Sequence, residues 1–398
     1  MMETMSLPTT QTEMLEVPIR HQRLFIGIPK ETTLQENRVA LVPHSVATLT
    51  AHGHQIVVES GAGEKSKFSD LNYSEAGATI AYNRDEVFRA DLLLKAAPLT
   101  LEEIDLMRPN QVVISPIHLP LLGPEYITKL QKKRVIALAM EYIRDDETGS
   151  FPIVHVMSEI AGISAILIAA DLLATNRGGQ GVLLGGIAGV PPAKVIILGA
   201  GIAAEFATRT ALGLGAEVRI FDNNVYKLMQ LQTRVARPLH TSVFNPIHLR
   251  EELLTADVAI GAIHSAQANS PMMVSADIVQ RMKPGSIIVD VSIDQGGCFE
   301  TSKATTHDAP TFVKHGVIHY CVPNIPSRVA RTASDAISNI LTSLLLKAES
   351  GGILSLITAH EGLRNGVYTY KGCLTNAYIG QRFNLKSTDL DLLITSDF

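Results

Sequence analysis

At 398 residues the chain is too long for one ordinary domain, and two or three are expected. Its 46% apolar and 18% charged content supplies a large core and excludes the disordered class. A net charge of −5 with no long basic run gives nucleic acid or an anionic membrane nothing to hold.

Taken in order, residues 1–22 lack the apolar core of a signal peptide and read as an extension. Short apolar runs then alternate with helical patterns: "LFIGIP" (24–29), "QIVVES" (55–60), "ADLLLK" (90–95), "VVISPIH" (112–118) and "VIALAM" (135–140). Strands alternating with helices predict βαβ units and a mostly parallel sheet. An apolar helix is expected near 157–174. Its core, "AGISAILIAADLLA", falls short of the roughly 18 uninterrupted apolar residues of a membrane span and contains Asp171, so a buried helix in a cytoplasmic protein is expected. A glycine-rich stretch, "NRGGQGVLLGGIAGVPP", reads as a loop.

Next comes "AKVIILGAGIAAEFATRTALGLGAEVRIFDNN": strand, glycine turn, helix, strand. Gly199, Gly201 and Ala204 form G-x-G-x-x-A directly after the first strand. The first glycine permits a tight turn, the second lets backbone approach a pyrophosphate, and the small third residue allows close helix packing. Asp222 ends the second strand, where an acid bonds a ribose 2′-hydroxyl and repels a 2′-phosphate, so NAD is expected rather than NADP. Further strands are predicted at "VAIGAI" (258–263), "SIIVDVSI" (286–293) and "VIHYCV" (317–322), and from 324 onward the pattern turns helical. Cys298, Cys321 and Cys373 lie far apart, with neither metal-ligand spacing nor a disulfide framework, which suits a reducing compartment and predicts no metal.

Polar residues stand at the ends of several first-part strands, where open α/β sheets bind ligands. Lys95 ends "ADLLLK", His118 ends "VVISPIH", Glu141 follows "VIALAM", and Arg38 follows the first strand. Two cations and a histidine suit a small carboxylate beside a carbonyl: arginine grips the carboxylate, and lysine or histidine polarises the oxygen. In "SIIVDVSIDQGGCFE", Asp290 lies inside the strand and is expected to cap a neighbouring loop, since buried acids need such partners.

The segments "IGIPKETTLQENRVALVP", "MSEIAG", "GGQGVLLGG", "ILGAGIAA", "KPGSIIVDVSIDQGGCFE" and "VPNIPS" run in the order seen in the alanine dehydrogenases, which the chain resembles from about residue 24 to its end. More distantly it resembles the NAD-binding subunit of transhydrogenases. The resemblance implies an α/β fold of two domains: a Rossmann-type parallel-sheet NAD domain over 153–326, and a second α/β substrate domain formed by both chain ends, 23–152 and 327–398. It implies reversible, NAD-dependent oxidative deamination of L-alanine to pyruvate and ammonium in a homo-hexamer. By motif, His118 and Asp294 match the catalytic pair, and Arg38 and Lys95 the groups on substrate carboxylate and carbonyl. Asn324 matches the cleft asparagine, while Glu141, Met157 and Ser158 match residues lining the nicotinamide and substrate pocket. Asp294 would deliver a carboxylate into the cleft for proton transfer.

The chain departs from that pattern at Ala97, where relatives carry an acid that could orient the lysine, and at Arg328 and Ala330, where relatives have a small residue and proline. Arg328 is expected to face solvent. Two alternatives stay open at this level: a dehydrogenase of another small amino or imino acid, such as glycine–glyoxylate, and a non-catalytic NAD(H)-presenting subunit.

Overall fold

Fifteen short strands assemble into two separate sheets in the computed structural model, which describes residues 23–33, 35–119, 122–263, 272–348 and 352–396. Residues 1–22 lie outside the described residues. The first sheet takes β1 (Phe25–Ile28), β2 (Gln55–Glu59), β3 (Thr79–Ala81), β4 (Leu92–Leu94), β5 (Val112–Ser115) and β6 (Ile136–Ala139). The second takes β7 (Lys194–Leu198), β8 (Glu217–Phe221), β9 (His240–Ser242), β10 (Val258–Gly261), β11 (Ile287–Asp290), β12 (Thr311–Lys314) and β13 (Val317–Tyr320). The chain then returns to the first sheet with β14 (Val367–Tyr370) and β15 (Cys373–Leu374).

The first sheet runs β15-β14-β6-β5-β4-β1-β2-β3 and the second β12-β13-β11-β10-β7-β8-β9. All pairings are parallel except those of β14 with β6 and β15, and of β12 with β13. Both sheets are covered on two faces, which is why their central strands read as unbroken apolar runs. The alternation of side chains sorts them by face. Ile26, Ile28, Leu92, Leu94, Ile114 and Leu138 enter one core, while Leu93, Val113, Ala137 and Ala139 enter the core behind. In the second sheet Val195, Ile197, Ile260 and Val289 oppose Ile196, Leu198, Ala259 and Ile288 in the same way.

Two helices carry the chain between the sheets. Pro152–Leu172 begins on the first core through Ile153 and Met157 and ends on the second through Ala165, Ile166 and Ala169. By length and composition it could cross a membrane, but half of its most apolar window is buried inside the protein. A Cβ at its Gly162 would collide with the Ala203 carbonyl, so glycine permits the close crossing with helix Ile202–Gly213. The return runs through Asn324 and Ile325 into helix Ala330–Leu346, whose Ile337, Leu341 and Leu345 rejoin the first core.

Three expectations change. The strand predicted over 286–293 ends at Asp290, and Val291–Gln295 form a 3-10 turn, so Asp294 stands beyond the sheet. The run predicted to end at His118 leaves the sheet at Ser115. The C-terminal part is not all helical: β14 pairs antiparallel with β6 and β15 antiparallel with β14, because the exposed edge of the first sheet needs a partner.

Candidate active site

The carboxyl ends of both sheets bring their polar residues to one place, beside the point where each strand order reverses. From the first sheet come the segment after β1 with Glu31, Glu36 and Arg38, the turn after β4 with Lys95, and the loops after β5 and β6 with His118 and Glu141. From the second come the glycine turn after β7, Asp222 after β8, Asp294 after β11 and Asn324 after β13.

Arg38 is buried and held by Glu36 two residues before it. Its Nε donates to Glu36 Oε1 at 2.8 Å and its Nη2 to Oε2 at 2.6 Å, a two-pronged grip that fixes the guanidinium plane. Nη1 points to Met157 Sδ at 3.2 Å, and Nη2 also approaches the Ala96 carbonyl at 3.4 Å. Burial pushes the Glu36 carboxyl up, but the charge and hydrogen bonds of Arg38 outweigh it and hold Glu36 below the usual range. Burial likewise opposes the Arg38 charge, and Glu36 more than restores it.

Glu36 also joins the two sheets. Its Oε2 accepts from Asn324 Nδ2 at 2.8 Å and its Oε1 from Ser327 Oγ at 3.1 Å. Asn37 N–H donates to Ser327 Oγ at 2.8 Å, and His307 N–H to Gln35 Oε1 at 2.7 Å, extending the seam. Asn324 adopts the left-handed conformation, φ +57°, and its backbone N–H reaches Asp294 Oδ1 at 3.3 Å. Burial raises the Asp294 carboxyl, against the pull of His118, the Asn324 N–H and Arg38. A carboxyl so placed can hold a proton and release it towards a polar reactant.

His118 is also left-handed, at φ +48°. That conformation costs an ordinary residue roughly 1–2 kcal/mol. Glu141 offsets it: its Oε1 accepts the backbone N–H groups of Ile117 at 2.8 Å and His118 at 3.2 Å. Hydrogen bonds to a charged acceptor contribute about 1.5–3 kcal/mol each, so they outweigh the strain. Burial raises the Glu141 carboxyl, with its backbone donors and His118 opposing. Glu141 therefore shapes the loop that carries His118. Met157 and Ser158 sit half-buried on the helix between the sheets.

Lys95 stands apart. It is 1% exposed, and its Nζ donates to Glu31 Oε2 at 2.8 Å and Glu103 Oε1 at 3.1 Å. Asp290 is spent as expected on its own loop: it accepts from Ser292 N–H at 3.1 Å, Cys298 N–H at 3.0 Å and Ser302 Oγ at 2.6 Å. Arg328 is exposed, and Ala330 is buried as the first residue of helix Ala330–Leu346.

Sequence reasoning misses Glu31, Glu36 and Glu103. Glu103 carries a usable signal, because Thr100-x-x-Glu103 is a capping box, and both of its bonds form. Glu36, two residues from Arg38 in an irregular segment, has no periodicity to betray it.

The glycine turn fits a dinucleotide. Gly199, at φ +112°, lies so close to the Ala262 carbonyl that a side chain would collide. Gly201 has nothing within 4 Å of where a Cβ would sit, which leaves the N-terminus of helix Ile202–Gly213 open to a phosphate. Ala204 is fully buried in the second core. Asp222 accepts from Ala200 N–H at 2.8 Å and Asn224 N–H at 2.8 Å, each through a different oxygen, so each keeps a lone pair for a hydroxyl.

Two mostly parallel sheets, a glycine turn and a cleft holding carboxylates, an arginine and a histidine define a two-lobed α/β dehydrogenase. The family models agree over nearly the whole chain: "Alanine dehydrogenase/PNT, N-terminal domain" matches residues 27–161, and the C-terminal domain matches residues 165–377. The chain belongs to the alanine dehydrogenase/PNT family. It is 38% identical to an alanine dehydrogenase of Staphylococcus saprophyticus over 371 residues, 92% of this chain and 99% of that one. It is also 38% identical to alanine dehydrogenase 2 of Staphylococcus aureus over 363 residues, 91% and 97% of the two chains. Among solved structures, an L-alanine dehydrogenase superposes with a TM-score of 0.85 at 36% identity, covering 90% of this chain and 99% of that one. A transhydrogenase from Sinorhizobium meliloti follows with a TM-score of 0.74 at 26% identity, covering 88% and 98%.

Proposed function

We propose that the chain is an NAD-dependent L-alanine dehydrogenase, converting L-alanine reversibly to pyruvate and ammonium. The observation that carries this reading is the seam Arg38–Glu36–Asn324–Asp294, which links a carboxylate-binding cation on one sheet to a proton-holding acid on the other. Gly199, Gly201, Ala204 and Asp222 would hold NAD, which would supply a hydride acceptor for the substrate α-carbon. Arg38 binds the substrate carboxylate through Nη1, the nitrogen that Glu36 does not engage. His118 hydrogen-bonds the substrate oxygen, and Asp294 holds and passes the proton that must move on and off nitrogen and water. Met157 and Ser158 line the space between. Glu141 supports His118 through the backbone with Oε1, and its buried Oε2, without a hydrogen-bond partner among the described residues, is left for the substrate.

The same reading divides the chain into 23–152 with 327–398 for substrate and 153–326 for cofactor, in keeping with the strand membership of the two sheets. It includes a cytoplasmic homo-hexamer. Support comes from exposed Leu183, Ile187 and Val190 on the glycine-rich loop and Leu167 on the neighbouring helix, apolar surface that a second copy would cover.

The test is NADH oxidation at varied pyruvate and ammonium, set against glyoxylate, 2-oxobutyrate and oxaloacetate. Turnover highest with pyruvate, and lost in His118→Ala and Asp294→Asn, is the expected result. NADH binding without reduction of any oxo acid would overturn the reading and favour a cofactor-presenting subunit.

A further inference from the structure

Lys95 follows β4, where an open sheet presents its ligands, yet its ammonium is buried and two of its three hydrogens are already taken by carboxylates. Glu31 and Glu103 each accept one of its hydrogens, and both carboxylates are as buried as the lysine. Arg84 Nη1 meets the same Glu103 oxygen at 3.3 Å and its Nε meets Glu59 Oε2 at 3.2 Å, so two cations and three carboxylates share one cluster. Burial opposes the ammonium, and Glu31 with Glu103 outweighs it, keeping Lys95 more basic than an ordinary lysine. Drawing Nζ out to a substrate oxygen would strand Glu31 in a buried site. That costs more than one hydrogen bond to a neutral carbonyl returns.

The other oxygen of Glu31 has a definite task. Its Oε1 accepts the backbone N–H groups of Ala96 at 2.6 Å and Ala97 at 3.2 Å, and the Ala96 carbonyl faces Arg38 Nη2 at 3.4 Å. Lysine, glutamate, turn and guanidinium thus form one connected chain. Ala97 adds no polar group to it, and the turn is held without one.

We propose that Lys95 in this chain is a positioning residue and not a substrate ligand: with Glu31 it locks the Ala96–Ala97 turn on which Arg38 rests. The hydrogen bond to the oxo group then falls to His118. The inference rests on the oxo-acid reading for the identity of the substrate.

Limited acetylation of the unaltered enzyme, read by peptide mass spectrometry with NADH and with or without pyruvate, tests the placement. Lys95 is expected to stay unmodified in both samples while the exposed Lys303 and Lys314 react. Acetylation of Lys95 that pyruvate blocks would overturn the proposal, and this arm requires neither turnover nor a variant that folds. Kinetics test the role. Lys95→Met and Glu31→Gln are each expected to raise the KM for pyruvate about 10-fold with kcat within about 3-fold, and the double variant to match the singles, since linked residues are not additive. A kcat loss of about 1000-fold in Lys95→Met alone, with Glu31→Gln near normal, is the signature of a lost transition-state contact and would also overturn it. If the unaltered enzyme reduces no oxo acid, the functional reading fails, while the acetylation result still decides where Lys95 lies.

Discussion

Asn324 donates its Nδ2 hydrogen to Glu36 Oε2 at 2.8 Å, and that bond joins the segment after β13 of one sheet to the segment after β1 of the other. Because Glu36 also grips Arg38, and the Asn324 backbone holds Asp294, one asparagine ties Arg38 on one side of the cleft to Asp294 on the other.

Asn324→Ala and Asn324→Gly separate the two tasks of that residue. Both lose the side-chain bond to a charged acceptor, worth about 1.5–3 kcal/mol, so kcat/KM should fall roughly 10- to 100-fold in each. Only alanine pays for the left-handed backbone, about 1–2 kcal/mol, so its Tm should drop below that of the glycine variant. Equal Tm values would mean that φ +57° carries no strain.

Asp294→Asn should lower kcat about 100- to 10,000-fold with NADH affinity unchanged, as expected for a group that moves a proton. Its effect on stability depends on pH. Burial raises the folded-state pKa above 3.8, so the wild type gives up stability as pH rises from there through the folded value, where the buried carboxyl ionises. Asparagine cannot ionise. The Tm of the variant minus that of the wild type should therefore climb from about pH 4 upward and then level off. A difference that falls over that range would contradict the raised pKa.

Gly199 and Gly201 share a motif but should fail differently. Gly199→Ala sets a side chain at φ +112° against the Ala262 carbonyl, so thermal unfolding should show a loss of more than about 2 kcal/mol. Gly201→Ala meets nothing within 4 Å, so Tm should hold while NADH fluorescence titration shows affinity down about 10-fold or more.

Asp222→Ala removes an acceptor that caps the glycine turn at Ala200 N–H and, in the proposed function, one that bonds ribose. NADH should weaken roughly 10- to 100-fold, and preference over NADPH should shrink because the repulsion of a 2′-phosphate is gone. Unchanged NADH and NADPH dissociation constants would remove Asp222 from the cofactor site.

Much of this architecture is legible in the order of the residues. "KVIILGAGIAAEF" announces strand, turn and helix because apolar period, glycine pair and helix pattern agree within a dozen residues. Asp290 reads as a structural acid, and its three donors bear that out. The short edge strands β3, β9 and β12 are less visible. β12, largely exposed, is a strand because it pairs with β13.

The class of fold, the glycine turn and the set of polar residues at strand ends follow from local order, since each depends on neighbours a few positions away. Which of those residues are free and which are engaged follows from how the chain packs in space. Lys95 and Arg38 look alike on the line, both cations beside an apolar run. Glu31 and Glu103, 64 and 8 residues from Lys95, claim its ammonium, while Glu36, two residues from Arg38, holds only one edge of its guanidinium. Long-range charge pairing follows distance in space, and no local pattern of residues encodes it.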